Sequence, residues 1–492
     1  MENIKAALEP IFNKLPSVAG PKEHVSFKNK LLWTIGVLAL YFILANIPLF
    51  GLDPASIDLF GAHRALFAGA FGTLMVLGIG PIVTASLVLQ LLVGADIIKL
   101  NMSDPNDQAF FHGLQKTMVF VMIIVTALPQ VLGGFISANP ALASAMGISP
   151  GVLTLIIILQ MIIGGVFILF MDETISKWGI GSGIGLFIVA GVSQMIVSGV
   201  INWQIVDGIH VGLIPRWIHI FQTETLGWLL SGDGLIFSLI TGGLLALVTT
   251  ILIFMLVVHA ESTRIEIPLS HGTARGARGR FPVKLIYASV LPMILVRALQ
   301  ANVQMVGMIL YGRGITILGN FHGTTPVDGI MYYLSPIHSP HDWIPFLVEQ
   351  RFLELGVAVP SMFDIGLRVF MDAFFLIGGG IIFALFWIET TGMGAKPTAQ
   401  KIFNSGMQIP GFRRNIGSIE KVMDRYIPKV TIIGGAFVGL LTLVASLLGT
   451  IGGAGGTGLL LTVGIIYKLY EEIASEQMME MHPMMRSFFG KE

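Results

Sequence analysis

Ten apolar stretches run through this chain, and each is long enough or nearly long enough to cross a lipid bilayer. A bilayer core about 30 Å thick needs about 20 apolar residues in a helix. Because backbone polar groups cannot stay unpaired in lipid, each stretch is predicted to be helical. The chain is 54% hydrophobic and 12% charged, whereas soluble domains carry about 25% charged residues. We therefore predict an all-α polytopic membrane protein. The predicted spans are 31–50, 73–94, 115–136, 151–171, 183–201, 235–258, 284–310, 369–388, 430–449 and 457–474.

The positive charge of the loops lies almost entirely on the side of the N-terminus. Lys and Arg residues beside membrane spans are retained in the cytoplasm. An even number of spans places both ends of the chain on one side, so both termini are predicted to be cytoplasmic. Of the 29 Lys and Arg residues, those in loops of the opposite side are Arg64, Arg216, Arg313, Arg351 and Arg368.

Two basic loops, 259–283 and 390–429, stand out on the predicted cytoplasmic side. Retention of positive charge explains a few basic residues beside each span, but it does not require a loop of this length. Binding of an anionic partner, RNA or lipid headgroups, is the alternative that charge leaves open. On the other side, the loop 312–368 is long enough for structure of its own. Its three histidines match no standard metal site. The remaining outer loops read as short or polar.

Two shorter segments each allow two interpretations. Ile4, Leu8, Ile11 and Leu15 recur at helical spacing, which allows either an amphipathic helix on the membrane surface or an ordinary frayed terminus. After the first span, residues 57–70 are apolar but too short to cross. They form either a helix on the outer surface or a re-entrant element, which is tolerated only inside protein or an aqueous cavity.

Motifs for chemistry are absent from the sequence. There is no phosphate-binding Gly-rich loop followed by Lys, no zinc-protease His pair and no nucleophile elbow. The chain has no cysteine, and the spans lack the chain of buried acids that proton relays use. We therefore expect no catalytic residue, cofactor, metal or small-molecule substrate. The missing chemistry favours a passive path through the membrane or a machine driven by a partner. A secondary transporter is the main alternative, and it would need a polar site at mid-membrane. An intramembrane enzyme is a weaker alternative.

Several local sequences, in order along nearly the whole chain, resemble the SecY family of protein-conducting channels in its archaeal form. No single Gly-rich match would be specific, but the ordered set is. They are VSFKNKLLWT (25–34), GTLMVLGIGPIVT (72–84), QLLVG (90–94), KWGIGSGIGLFI (177–188), RIEIPL (264–269), FPVK (281–284), WIETTG (387–392) and GTGLLL (456–461).

The resemblance implies ten helices in two pseudo-symmetric inverted five-helix halves. The implied divisions are a cytoplasmic N-terminus (1–30), an N-terminal half (31–230), a C-terminal half (231–475) and a cytoplasmic tail (476–492). Between the halves, the resemblance implies an hourglass channel closed by a ring of apolar side chains. The matching positions are Ile79, Val83, Ile184, Ile188, Ile294 and Leu461.

By the same resemblance, residues 57–67 form a plug in the outer funnel, with Ile57, Leu59, Phe60, Leu66 and Phe67 as its apolar residues. Polar positions of a lateral gate match Thr84, Thr126 and Asn302, although Thr126 is shorter than the side chain that the family pattern suggests. The basic loops match those that dock the ribosome, with Arg278, Arg280, Arg413 and Arg414 as contacts to rRNA phosphates.

The implied function is that of the central subunit of a Sec translocase in the plasma membrane. Such a subunit conducts unfolded secretory chains and releases apolar segments into lipid. The implied partners are small membrane subunits of the SecE and SecG/beta types, the ribosome, signal peptides with their nascent chains, and membrane lipids. Arg297 has no role in the family pattern. Because an intramembrane Arg needs water or an acid, we predict that Arg297 faces the outer funnel.

Overall fold

A computed structural model describes most of the chain, with helices packed around a main apolar core and smaller apolar clusters beside it. Among the described residues, eight helices are long and apolar enough to cross a membrane, and the 15-residue helix Gly80–Gly94 is shorter. The protein is therefore an all-α, multi-pass membrane protein. The residues outside the description are 1–9, 11, 13, 59–63, 95–96, 99, 101–103, 207, 272–277, 289, 411–414 and 482–492.

Helices account for nearly all of the spans, and most run beyond the apolar stretches that predict them. They are α1 (Phe27–Leu44), α2 (Arg64–Phe67), α3 (Gly80–Gly94), α4 (Pro105–Leu132), α5 (Pro140–Met146), α6 (Pro150–Trp178), α7 (Gly183–Ile201), α8 (Leu213–Thr223), α9 (Leu226–Leu229), α10 (Gly232–Leu239), α11 (Leu244–Ser262), α12 (Pro292–Gly312), α13 (Gly329–Leu334), α14 (Pro345–Glu354), α15 (Met362–Thr390), α16 (Ala395–Asn404), α17 (Ile416–Leu448) and α18 (Gly455–Met481).

Two predicted spans begin later than expected, and a third is broken. The stretch 73–94 becomes helical only at Gly80, because residues 68–79 follow an irregular path. Along that path Ala68 and Gly78 have φ of 48° and 54°. The stretch 284–310 becomes helical at Pro292. The stretch 235–258 is broken at Gly243, whose φ of 78° separates α10 from α11. A change to positive φ ends a helix that apolar composition alone would continue.

The two basic loops meet in a three-stranded sheet, in which β3 (Arg264–His271) lies between β4 (Arg278–Lys284) and β7 (Met407–Gln408). The long hairpin between α11 and α12 pairs antiparallel from Arg264 with Lys284 to Ser270 with Arg278, and β7 adds to its other side at Ser270 and His271. In the second loop, α16 and the early start of α17 fill much of the predicted 390–429 loop. The strands are β1 (Ile205–Val206), β2 (Ile209–His210), β3 (Arg264–His271), β4 (Arg278–Lys284), β5 (Phe321–His322), β6 (Thr325–Pro326) and β7 (Met407–Gln408).

The start of α7 lies inside the protein rather than at its surface. Buried helix starts need partners for their free backbone N–H groups. Asp172, on α6, supplies one: its Oδ1 accepts a hydrogen bond of 2.9 Å from the Ile184 nitrogen. A side chain at Gly183 would clash with Asp172, so the two helices approach closely here. This contact explains how α7 begins below the surface with Ile184 so early in the helix.

Candidate functional site

The six predicted ring residues lie in one apolar cluster formed by separate parts of the chain. Val83 comes from α3, Ile184 and Ile188 from α7, Ile294 from α12 and Leu461 from α18, while Ile79 directly precedes α3. All are buried except Ile184, which is half-buried against the same cluster. Leu66 and Phe67 of α2 belong to that cluster too. The structure therefore brings together residues that are up to several hundred positions apart in sequence.

Two cavities flank this cluster along the direction of α7. The first, about 400 Å³, is lined by Val83, Ile184 and Ile294 together with polar side chains such as Gln115. The second, about 550 Å³, is lined by Gln194 of α7 and by residues of the 68–70 and 450–453 segments. Ile188 lies between Ile184 and Gln194 on the same helix and is fully buried. The shape is thus two wider spaces with an apolar closure between them, and apolar constrictions resist wetting and ion passage.

The short helix α2 packs against α7 and α18 on the side of the second cavity. Leu66 and Phe67 are buried, whereas Ile57 is exposed; Leu59 and Phe60 lie outside the described residues. Phe67 accepts a hydrogen bond of 2.8 Å from the Ile79 nitrogen. Tyr41 of α1 donates one of 2.8 Å to the Ala68 carbonyl. The described part of the segment is therefore an element inside the protein rather than a surface helix.

Arg64, the first residue of α2, anchors the N-terminal end of this short helix. Its side chain is buried, forms an ion pair with Asp58 and donates to the Val76 carbonyl. It also stacks over the Phe71 ring, 5.5 Å from the centroid. Gly78 allows the chain to pack closely against the end of α2, because a Cβ there would lie 2.1 Å from the Phe67 carbonyl oxygen. These polar contacts hold α2 and the irregular segment after it against the apolar cluster.

Thr84 and Asn302 meet across two helices, as the sequence predicts for a gate. Asn302 Nδ2, on α12, donates to Thr84 Oγ1 on α3 at 3.4 Å and to the Ala298 carbonyl at 2.7 Å. Thr126, on α4, is buried elsewhere, and its carbonyl accepts from Gln130. Thr126 takes no part in the Thr84–Asn302 hydrogen bond, and its assignment to the gate stays a prediction.

We predict that Thr84 and Asn302 are energetically coupled in the separation of α3 from α12. Interhelical hydrogen bonds in membranes contribute about 0.6–2 kcal/mol. A double-mutant cycle with Thr84→Val and Asn302→Leu should therefore show coupling of that size. Because the chain has no cysteine, nitroxides at Val121→Cys and Val306→Cys, both exposed, can report the distance across the gate. Thr126→Val is the matched control; equal coupling of Asn302 with Thr126 would contradict the assignment.

The prediction that Arg297 faces an outer funnel is wrong. The side chain is 3% exposed and lies 3.0 Å from Asp372 Oδ1 in an ion pair between α12 and α15. Gln300 and Thr457 accept further hydrogen bonds from its guanidinium, at 2.8 and 3.1 Å, and Ser446 lies at 3.3 Å. The pair thereby joins α12, α15, α17 and α18. A buried guanidinium is stable only when its charge and its donors are matched in this way.

Sequence reasoning missed Asp372, although a signal was present. Asp372 is the acid inside the predicted span 369–388, and the unexplained Arg297 required an acidic partner. Its second oxygen accepts from the Ile337 nitrogen at 3.3 Å, which ties the external loop 312–368 to the pair. The same loop holds Asp342 between Arg351 and Arg368. Burial would raise the pKa of Asp342, but Arg368, His338 and Arg351 together bring it below its usual range.

The histidines of that loop are not arranged as a metal centre. Within the part of the chain that the structure describes, no group of three His, Cys, Asp or Glu side chains could hold an ion. Burial first, and then the nearby Arg297, lowers the pKa of His338 to about 4. His338 is therefore neutral at neutral pH, which suits its place beside two buried ion pairs.

The basic surface predicted from the loops is described only in part. Arg280, on β4, is exposed and pairs with Glu266 across the hairpin. The backbone of Arg278 belongs to the same strand, while its side chain is outside the description, as are Arg413 and Arg414. The pairing of β3 with β7 brings the two loops side by side, a proximity that charge counting did not reveal.

The fold and the site define a helical membrane channel. Comparison with known families and structures identifies which kind. A family model described as SecY matches residues 73–470, and one described as "Plug domain of Sec61p" matches residues 40–72. Protein translocase subunit SecY of Archaeoglobus fulgidus is 55% identical over 496 residues, covering 100% of both chains.

Two solved structures have the same fold at lower identity. One, described as "The structure of a protein conducting channel", is 37% identical with a TM-score of 0.76, over 96% of this chain and 98% of that one. The other, "Sec61 in the Canine ribosome-channel complex from the endoplasmic reticulum", is 37% identical with a TM-score of 0.74, over the same shares. The chain belongs to the SecY family. It is a pore-forming subunit of the protein-conducting channel and not an enzyme.

Proposed function

We propose that this chain is the central subunit of a plasma-membrane Sec translocase, passing unfolded secretory chains through the ring and releasing apolar segments between α3–α4 and α12–α15. The observation that carries the proposal is the buried apolar cluster between two cavities, with α2 against it. An apolar constriction blocks ions at rest, yet it can widen around a polypeptide without selecting particular side chains. In this proposal the ring is Ile79, Val83, Ile184, Ile188, Ile294 and Leu461.

The proposed topology has ten spanning helices in two inverted five-helix halves, with both termini in the cytoplasm. Adding α3 and α18 to the eight helices that are long and apolar enough to cross a membrane makes ten. Segment 57–67 acts as the plug. The position of Arg280 in the hairpin, beside the second basic loop, supports a cytoplasmic docking face. Small subunits of the SecE and SecG/beta types complete the proposed complex.

Site-specific photocrosslinking to a ribosome-stalled nascent chain tests the path. A photoreactive residue at Val83 or Ile188 should crosslink to the chain only when it carries a functional signal sequence. Met255 of α11, which is exposed on the outside of the bundle, is the matched control and should not crosslink during translocation. Absence of crosslinks from both ring positions, with the ribosome bound and the channel folded, would favour the transporter alternative.

Charge reversal at Arg280 should weaken ribosome binding. Each lost phosphate contact lowers the dependence of the binding constant on salt by about one unit of slope. We therefore expect Arg280→Glu to bind less tightly at low salt and to show a shallower salt slope. Arg313→Glu, a reversal of an exposed Arg on the opposite side, is the control. Arg413→Glu extends the test to the second loop; equal slopes for Arg280→Glu and the control would exclude Arg280 as a contact.

A further inference from the structure

The segment between α7 and α11, residues 202–243, includes one of the outer loops predicted to be short or polar, and it has structure of its own. It contains the β1–β2 hairpin and three helices, of which α8 is the longest. These residues lie at the end of the bundle opposite the β3–β4 hairpin, because α7 starts beside the first cavity and α11 ends at Ser262, close to the start of β3. Here the segment is called the 202–243 linker.

Helix α8 presents three different faces. One packs inward, with Ile220 buried and Trp217 and Arg216 turned to the protein. A second is exposed and polar, with His219 and Gln222. The third is exposed and apolar. At helical spacing i, i+4 and i+7 it carries Ile214, Ile218 and Phe221, which are 48%, 41% and 60% exposed.

The exposed apolar face of α8 continues a larger apolar surface. On one side are Trp203, Ile205 and Ile209, all exposed, and they follow the outward-facing Val197 and Ile201 of α7. On the other side, α10 exposes Leu235, Ile236 and Leu239. The exposed apolar residues of α7 and α11 belong to helices that cross the membrane. The linker therefore adds exposed apolar side chains to the lipid-facing surface of α7 and α11.

Tryptophan content places the linker at a particular depth. Trp203, Trp217 and Trp228 all lie in it, out of seven in the whole chain. Tryptophan is enriched where hydrocarbon meets the polar headgroups. A helix with one apolar and one polar exposed face lies in the plane of that interface, with its apolar side about 5–10 Å below the headgroups.

We propose that the 202–243 linker is an interfacial membrane element, with Ile214, Ile218 and Phe221 of α8 inserted into the leaflet opposite the basic loops. Its occupant is the acyl region of the lipid just below the headgroups. The attraction is apolar rather than electrostatic, because the one basic residue of the linker, Arg216, is committed to protein. Its guanidinium donates to the carbonyls of His210, Val211 and Thr241 at 2.8, 3.1 and 2.7 Å.

Arg216 and Trp217 connect α8 to the start of the following span by hydrogen bonds. Arg216 holds the Thr241 carbonyl, and Trp217 donates to the Gly242 carbonyl at 2.9 Å. Both acceptors lie just before α11 begins at Leu244. Through these two hydrogen bonds α8 is connected directly to the break between α10 and α11. This inference concerns membrane seating and is independent of what passes through the channel.

Spin labels on the two exposed faces of α8 test the proposal. The full chain, free of native cysteine, is labelled at Ile218→Cys or Phe221→Cys, with His219→Cys and Gln222→Cys as controls one residue away. In phosphatidylcholine vesicles, the first pair should be reached by oxygen and sit about 5–10 Å below the phosphates. The controls should be reached by an aqueous nickel complex. Adding phosphatidylglycerol should leave the depth unchanged.

Equal aqueous access at all four positions would overturn the proposal, as would a depth that increases with anionic lipid. A second arm distinguishes lipid from a protein partner. A photoreactive residue at position 221 in native membranes should give lipid adducts. A protein adduct of defined mass formed from 221 and absent from 222 would show that another polypeptide covers the apolar face, and the lipid assignment would then be wrong.

Discussion

Replacing Asp372 with alanine is expected to destabilise the protein by about 3–5 kcal/mol, the usual cost of leaving one partner of a buried ion pair without its counter-charge. Arg297 is 3% exposed and holds helices α12, α15, α17 and α18 through its guanidinium. The Asp372 carboxylate is equally buried, and it also accepts a hydrogen bond of 3.2 Å from Gln300 Nε2. Equilibrium unfolding in mixed micelles with increasing denaturing detergent measures the loss.

The double variant Arg297→Met with Asp372→Leu should recover most of that stability. Replacement of a buried ion pair by apolar side chains of similar volume is often neutral, because neither charge is then desolvated. Glu354→Ala, an exposed acid of α14, should change stability by less than about 0.5 kcal/mol. Additive losses in the double variant would mean that Arg297 and Asp372 are not coupled, and that the contacts with Thr457 and Ser446 satisfy the guanidinium alone.

Replacing Ile188 with glycine is expected to raise ion leak through the resting channel by about 10–100-fold. A fully buried isoleucine contributes about 1.5–3 kcal/mol of apolar burial, and removing that much from a barrier to wetting increases the rate by this factor. Ile188 is fully buried between the two cavities. Efflux of a trapped ion from proteoliposomes, without ribosome or signal sequence, measures the leak.

Val197→Gly provides the control for this change. Val197 lies on the same helix, α7, but is 54% exposed on its outer surface. Glycine weakens a helix by about 1 kcal/mol at either position, so a leak caused by helix fraying would be similar in both variants. Only the ring assignment predicts leak from Ile188→Gly alone. Deletion of residues 57–67 should raise ion leak as well. A seal as tight as that of the parent protein in both the deletion variant and Ile188→Gly would contradict the ring assignment.

The class and family of this protein could be predicted from the sequence, and the comparisons confirm both. The starts of α3, α11 and α12 could not. Their apolar stretches begin before the residue where each helix starts, and positive φ at Gly78 and Gly243 precedes the start of α3 and α11. The proximity of the six ring residues to one another came from the family pattern, since isoleucines four apart in a membrane helix usually face lipid.

The sequence by itself determined what depends on local composition or on ordered motifs: a multi-pass helical membrane protein of the SecY family. The tertiary structure alone decided which distant groups meet. Arg297 finds Asp372 from 75 positions away, and Ser270 pairs with Gln408 across 138. It also decided that α7 starts inside the protein on Asp172 and that α8 leaves an apolar face uncovered. The physical reason is that burying a charge or a helix end requires a partner in space, and chain order does not specify that partner.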